Sequence, residues 1–109
     1  MDFKELGKDL GLEEDEYIEM LELFIESGGE DLENLEAALK EGNTEKAHES
    51  SHSIKGSSGS LVLNTIYALA KSIDDIVCAG KLDGVDEQVK QLRDEYEILK
   101  NDIRKSLGE

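Results

Sequence analysis

Residues 13–42 read EEDEYIEMLELFIESGGEDLENLEAALKEG, and within them Tyr17, Leu21, Phe24, Gly28, Leu32, Leu35 and Leu39 recur at steps of four and three. That spacing lines up one apolar stripe on an α-helix and leaves the intervening acidic residues on the outer face. The stretch predicts one helix of about seven or eight turns that ends at Gly42, a residue able to leave a helix through the left-handed conformation. Gly28 and Gly29 interrupt the pattern, and each costs about 1 kcal/mol relative to alanine in an exposed helix interior. Two explanations are open for the pair: a kink, or the close approach of a neighbouring helix.

Working outward, Phe3, Leu6 and Leu10 precede Gly11 at helical spacing and predict a short helix from about Asp2 to Leu10. Asn43 or Thr44 is placed to cap a third helix, whose inner face of Ala47, Ser51, Ile54, Ser58 and Leu61 is narrow and built from small residues. Leu63, Ile66, Ala70, Ile73 and Val77 mark a fourth helix ending near Gly80. Val85, Val89, Leu92, Tyr96, Leu99 and Ile103 mark a fifth, with Asp83 as its expected cap. Four long segments joined by short turns predict an all-α fold, an antiparallel up-down-up-down four-helix bundle with a short extra N-terminal helix. Residues 1–109 read as a single domain, and stripes that satisfy one another need no second subunit, so a monomer is expected.

Composition agrees with this and narrows the function. The 109 residues include no proline and only 5% aromatics, which favours uninterrupted helices. The net charge of -15, from 12 basic and 27 acidic side chains, would repel a phosphate backbone and argues against nucleic acid or an anionic membrane as partner. The excess is uneven: residues 1–43 carry 3 basic and 15 acidic side chains, whereas residues 44–60 carry 2 of each. Cys78 is the only cysteine, which rules out an internal disulfide, and it falls in a helical pattern where a small apolar residue is expected. A reducing cytoplasm suits such a chain, and no membrane-length apolar run or signal-like N-terminus points elsewhere.

The third helix departs from the others. It holds Ser50, Ser51, Ser53, Ser57, Ser58 and Ser60 with Gly56 and Gly59, all poorer helix formers than the Glu, Lys and Leu used elsewhere. His48, His52, Lys55, Gly56 and Gly59 form one stripe about 100° from its inner face. The glycines fit close packing against a neighbour, or equally a bared surface over which another protein's active site reaches the imidazole. His48-Glu49-Ser50-Ser51-His52 also spells the His-Glu-x-x-His pattern of zinc peptidases, although such a site needs a third protein ligand and a substrate cleft. A helical interaction module that binds a basic protein through the acidic second helix is a further reading; it accounts for the charge but not for the neutral, glycine-marked stripe.

The ten residues His52-Ser53-Ile54-Lys55-Gly56-Ser57-Ser58-Gly59-Ser60-Leu61 resemble the phosphorylation-site helix of histidine phosphotransfer domains, including the N-terminal domain of chemotaxis kinases. The order and lengths of the predicted helices are similar to that family across nearly the whole chain. The resemblance implies that His52 accepts the phosphoryl group, that Lys55 offsets its charge, and that Gly56 and Gly59 form an open docking surface, with His48 on the same stripe. In the family a polar residue, often Glu or Gln, stands 22 positions after the histidine and orients its ring; here that residue is Asp74, one methylene shorter than Glu. Two further departures are Val62, where many members have glycine, and Ser51, where many have alanine.

The chemistry follows from the imidazole. With an unperturbed pKa of about 6.5 it is largely neutral near pH 7 and can attack phosphorus without a separate base. If Asp74 accepts a hydrogen bond from Nδ1, Nε2 is left as the nucleophile. The chain shows no phosphate-binding loop and no acidic cage beside His52, so no metal or cofactor of its own is expected; a receiver domain would bring the Mg2+. The resemblance thus implies a phosphocarrier rather than an enzyme, with response-regulator receiver domains and a sensor histidine kinase as partners.

Overall fold

The computed structural model describes residues 2–108, and all regular structure among them is helical: α1 (Phe3–Asp9), α2 (Glu14–Glu41), α3 (Thr44–Ser60), α4 (Asn64–Cys78) and α5 (Val85–Ser106). At a rise of about 1.5 Å per residue, the 28 residues of α2 account for the 41 Å long axis of a body 26 Å by 18 Å across. α2 packs on α3 and α5, and α4 packs on the same two helices, so the four long helices close a ring while α1 lies against α2. Short connections leave consecutive helices room only to run antiparallel. The result is the expected four-helix bundle with an N-terminal lid. No helix among the described residues is long and apolar enough to cross a membrane.

The helix ends follow the sequence closely. The Asp2 side chain accepts from the Glu5 amide at the start of α1, and Glu13 and Glu16 form a reciprocal capping box at the start of α2. Gly42 ends α2 at φ 67°, and Asn43 caps α3 by accepting from the Lys46 amide. Of the two explanations for the glycine pair, close packing holds for Gly28 alone; a Cβ on Gly29 would meet nothing, and the structure gives no packing reason for it. α2 runs unbroken through both, and a Cβ on Gly28 would lie 2.7 Å from the buried Tyr96 hydroxyl of α5.

Ala47, Ser50, Ser51, Ile54 and Ser58 are the buried face of α3, which is thin enough to bring α2 and α4 close on either side. Serines are tolerated there because their hydroxyls return to their own helix: Ser58 donates to the Ile54 carbonyl at 2.6 Å, and Ser51 to the His48 carbonyl at 3.2 Å. The far end of α3 is pinned by the buried Tyr17 hydroxyl, which donates to the Leu61 carbonyl at 2.5 Å. Burial pushes the Tyr17 phenol pKa up, so it stays a neutral donor.

Three expectations need correction. Leu10 lies beyond the end of α1 and is exposed, the buried contacts of that helix being made by Phe3 and Gly7. Asp83 does not cap α5; Gly84 takes the cap position at φ 82°, a backbone that favours glycine, and no side chain bonds the first turn. Cys78 is exposed as the last residue of α4, because the inward stripe of that helix ends one residue earlier at Val77.

Val62, in the turn between α3 and α4, has φ 59°. A branched side chain there costs roughly 1–2 kcal/mol relative to a right-handed conformation, which explains in physical terms why glycine suits this position. Val62→Gly is expected to stabilise the fold by about 0.5–1 kcal/mol once the greater freedom of unfolded glycine is subtracted. A higher urea midpoint at unchanged slope would show it; a lower midpoint would mean that side-chain packing outweighs the backbone strain.

Candidate functional site

α4 delivers a carboxylate to the boundary between its core stripe and α3. Asp74 directly follows the buried Ile73, and its side chain retains only 7% of its exposure. A charged group at that depth is stable only with partners, and Asp74 has four, all from α3. Its Oδ1 lies 2.8 Å from His48 Nδ1 and accepts from Ser51 Oγ at 3.3 Å. Its Oδ2 accepts from Lys55 Nζ at 3.2 Å and faces His52 Nδ1 at 3.5 Å. Positions 48, 51, 52 and 55 lie on one edge of a helix by spacing alone, so a single carboxylate can reach all four.

Burial by itself would raise the Asp74 pKa, but the hydrogen bonds from Lys55 and His52 and the nearby charge of His48 outweigh it and hold the carboxyl below its ordinary value. Asp74 is therefore an anion at neutral pH. An Nδ1 facing a carboxylate at these distances must carry its proton, because a bare lone pair would be repelled. The His52 imidazole thus presents Nδ1–H to Asp74, and its Nε2, on the other side of the ring, points away from it, whereas His48 Nδ1 touches Oδ1 without hydrogen-bond alignment. The His52 side chain is 65% exposed.

The remaining stripe residues divide. Gly56 is exposed, and the space a Cβ would fill is open. Gly59 is also exposed, but a Cβ there would come within 3.1 Å of the Tyr67 ring of α4, so its bareness has a packing reason as well. Lys55 lies partly buried along the edge of the site. Beside His52, Ser53 donates to Asp31 Oδ2 of α2 at 2.7 Å and ties the site helix to its other neighbour.

The shorter Asp74 does reach His52, at a distance long for a hydrogen bond. Sequence reasoning placed His48 and Ser51 on α3 but missed that both meet Asp74. The histidine spacing held a signal for His48, whereas the facing residue on α4 could be found only through packing. The zinc-peptidase pattern lacks its third ligand: among the described residues no three His, Cys, Asp or Glu side chains gather in a metal-binding arrangement.

The bundle thus presents an exposed imidazole whose Nδ1 faces a buried carboxylate, with bare backbone beside it. Residues 19–102 match the Hpt domain, and the chain belongs to the histidine phosphotransfer domain family. It therefore has a histidine phosphotransfer role in phosphorelays, where Hpt domains work with receiver domains and kinases. The fold is similar to that of histidine-containing phosphotransfer protein B (HptB) from Pseudomonas aeruginosa PAO1, whose crystal structure superposes with a TM-score of 0.83 at 24% identity over 97% of this chain and 92% of that one. No curated protein matches the chain.

The lowered Asp74 carboxyl has a consequence for stability. A folded-state value below the ordinary 3.8 means that the anion stabilises the fold above about pH 4 and that this contribution is lost as pH falls through the lowered value. Asp74→Asn is expected to lose about 1–2 kcal/mol at pH 7 and to show a smaller further loss than the unaltered protein between about pH 5 and pH 2. Urea midpoints across that range would test it, and parallel acid dependence of the two proteins would contradict it.

Proposed function

We propose that His52 is the phosphoryl acceptor and that Nε2 is the atom phosphorylated. The observation that carries this reading is the ring's orientation: His52 is mostly exposed while its Nδ1 faces the buried Asp74. In the forward step Nε2 attacks the phosphorus of an aspartyl phosphate on a receiver domain, or of a phosphohistidine on a sensor kinase. The N–P bond forms as the donor's bond to phosphorus breaks, and the donor side chain leaves with the electron pair. A second receiver aspartate then takes the phosphoryl group by the reverse chemistry.

Asp74 would hold the Nδ1 proton throughout and so keep Nε2 as the nucleophile. Lys55, whose ammonium is one turn along the helix from His52, would move from Asp74 toward the phosphoryl oxygens once they arrive. Gly56, with open space above it, and the neighbouring surface at Gly59 and His48 would admit the receiver's active site. The divalent metal that neutralises charge in phosphoryl transfer is assigned to the receiver, since the four side chains packed around Asp74 leave its oxygens occupied. The chain in this reading is a single phosphotransfer unit that acts as a monomer without a cofactor, and it carries the group rather than making it from ATP.

Incubation with receiver domains charged by acetyl phosphate, followed by mass spectrometry under alkaline conditions, is expected to find one phosphoryl group, at His52. His52→Gln should abolish it, and ATP without a kinase should deliver none. Label retained in the His52→Gln protein, or taken directly from ATP, would overturn the assignment.

A further inference from the structure

Four side chains surround Asp74, yet only His52 and Lys55 have parts in the proposed transfer step. The shortest contact belongs to His48, four residues upstream, whose Nδ1 is sealed from solvent and touches Oδ1 at 2.8 Å without lying in hydrogen-bond alignment with it. Its ring leans beside that of His52, with centroids 5.8 Å apart. A side chain that only met a docking partner would have no reason to turn its sealed nitrogen onto the carboxylate behind the acceptor.

We infer that His48 is a positioning residue: it anchors Asp74 Oδ1 so that Oδ2 stays turned toward His52 Nδ1, which keeps His52 in the tautomer whose Nε2 is nucleophilic. This rests on the proposed role of His52. The carboxylate can rotate about its Cβ–Cγ bond, and the strongest pull on it is the Lys55 ammonium. On the opposite oxygen the other donor is the Ser51 hydroxyl, at 3.3 Å and also within reach of the His48 carbonyl at 3.2 Å. Without His48 the carboxylate is free to swing squarely onto Lys55, and the 3.5 Å contact to His52, already long, is the first to be lost. An Nδ1 released from its acceptor no longer fixes the proton there, and the tautomer with its proton on Nε2 has no lone pair to offer at the outer face.

The two arms of the test need no docking partner. Nitrogen-15 NMR of the imidazoles reads the His52 tautomer directly, and phosphoramidate phosphorylates His52 without a protein donor. In that reaction its P–N bond breaks, phosphorus bonds to Nε2, and ammonia leaves. His48→Phe is expected to shift the His52 tautomer toward Nε2–H and to slow phosphorylation by about tenfold, the lower end of losses seen when an outer partner of a working imidazole is removed. His48→Asn, whose amide can donate from nearly the place of Nδ1, should restore most of both. A His48→Phe protein that is folded by circular dichroism and keeps the unaltered tautomer and rate would overturn the inference and leave only a docking role. If the unaltered protein takes no phosphoryl group at His52, the carrier reading fails separately, and the tautomer comparison still decides the part played by His48.

Discussion

A carboxylate held almost entirely out of water must be surrounded by donors, and in this protein that requirement organises the site. Asp74 keeps 7% of its side-chain exposure and is met by His48, Ser51, His52 and Lys55. Losing any one leaves part of a buried charge unpaired, a larger penalty than the gain from a typical surface ion pair. The His52 imidazole thus takes its orientation from an interaction the folded state already needs. In the proposed mechanism the same group would then couple stability to reactivity, since the carboxylate that the fold must satisfy also fixes the tautomer of the proposed nucleophile.

The rest of the bundle compensates for what α3 gives up. Serine and glycine weaken that helix locally, but they thin it enough for α4 to bring Asp74 within reach and for α2 to bind Ser53 through Asp31. Tyr17 anchors the far end of α3 from α2, and Asn43 caps the near end. On the opposite side of the ring, Arg93 of α5 grips Glu36 of α2 through both Nε and Nη2, at 3.2 and 2.6 Å. This partly buried, two-pronged contact adds geometric constraint where the helix pair has few other polar ties. A stiff frame around a weak but closely packed helix suits a residue that must be exposed yet fixed in direction.

Much of this was legible in the residues. The stripe from Tyr17 to Leu35 determined α2, and the glycines at 11 and 42 marked where helices stop. The stripe through His48, His52 and Lys55 predicted the edge of α3 that meets Asp74. Local signals failed where backbone conformation or contact between distant elements decided the outcome. Asp83 is a good cap by residue type, but the positive φ belongs to Gly84. The strain at Val62 appears only once φ is known, although the family preference for glycine at that place hinted at it. The convergence of His48 and Ser51 on Asp74 depends on how α3 and α4 are rotated against each other, and spacing along one helix carries no information about that rotation.

Which nitrogen receives phosphorus decides whether Asp74 orients the imidazole for transfer. With the protein labelled with nitrogen-15 and charged by a phosphorylated receiver domain, the one-bond coupling between phosphorus-31 and nitrogen should appear at Nε2 of His52, with Nδ1 still protonated toward Asp74. Coupling at Nδ1, or at the His48 ring, would contradict it, because the nitrogen that faces the buried carboxylate would then be the one that reacts.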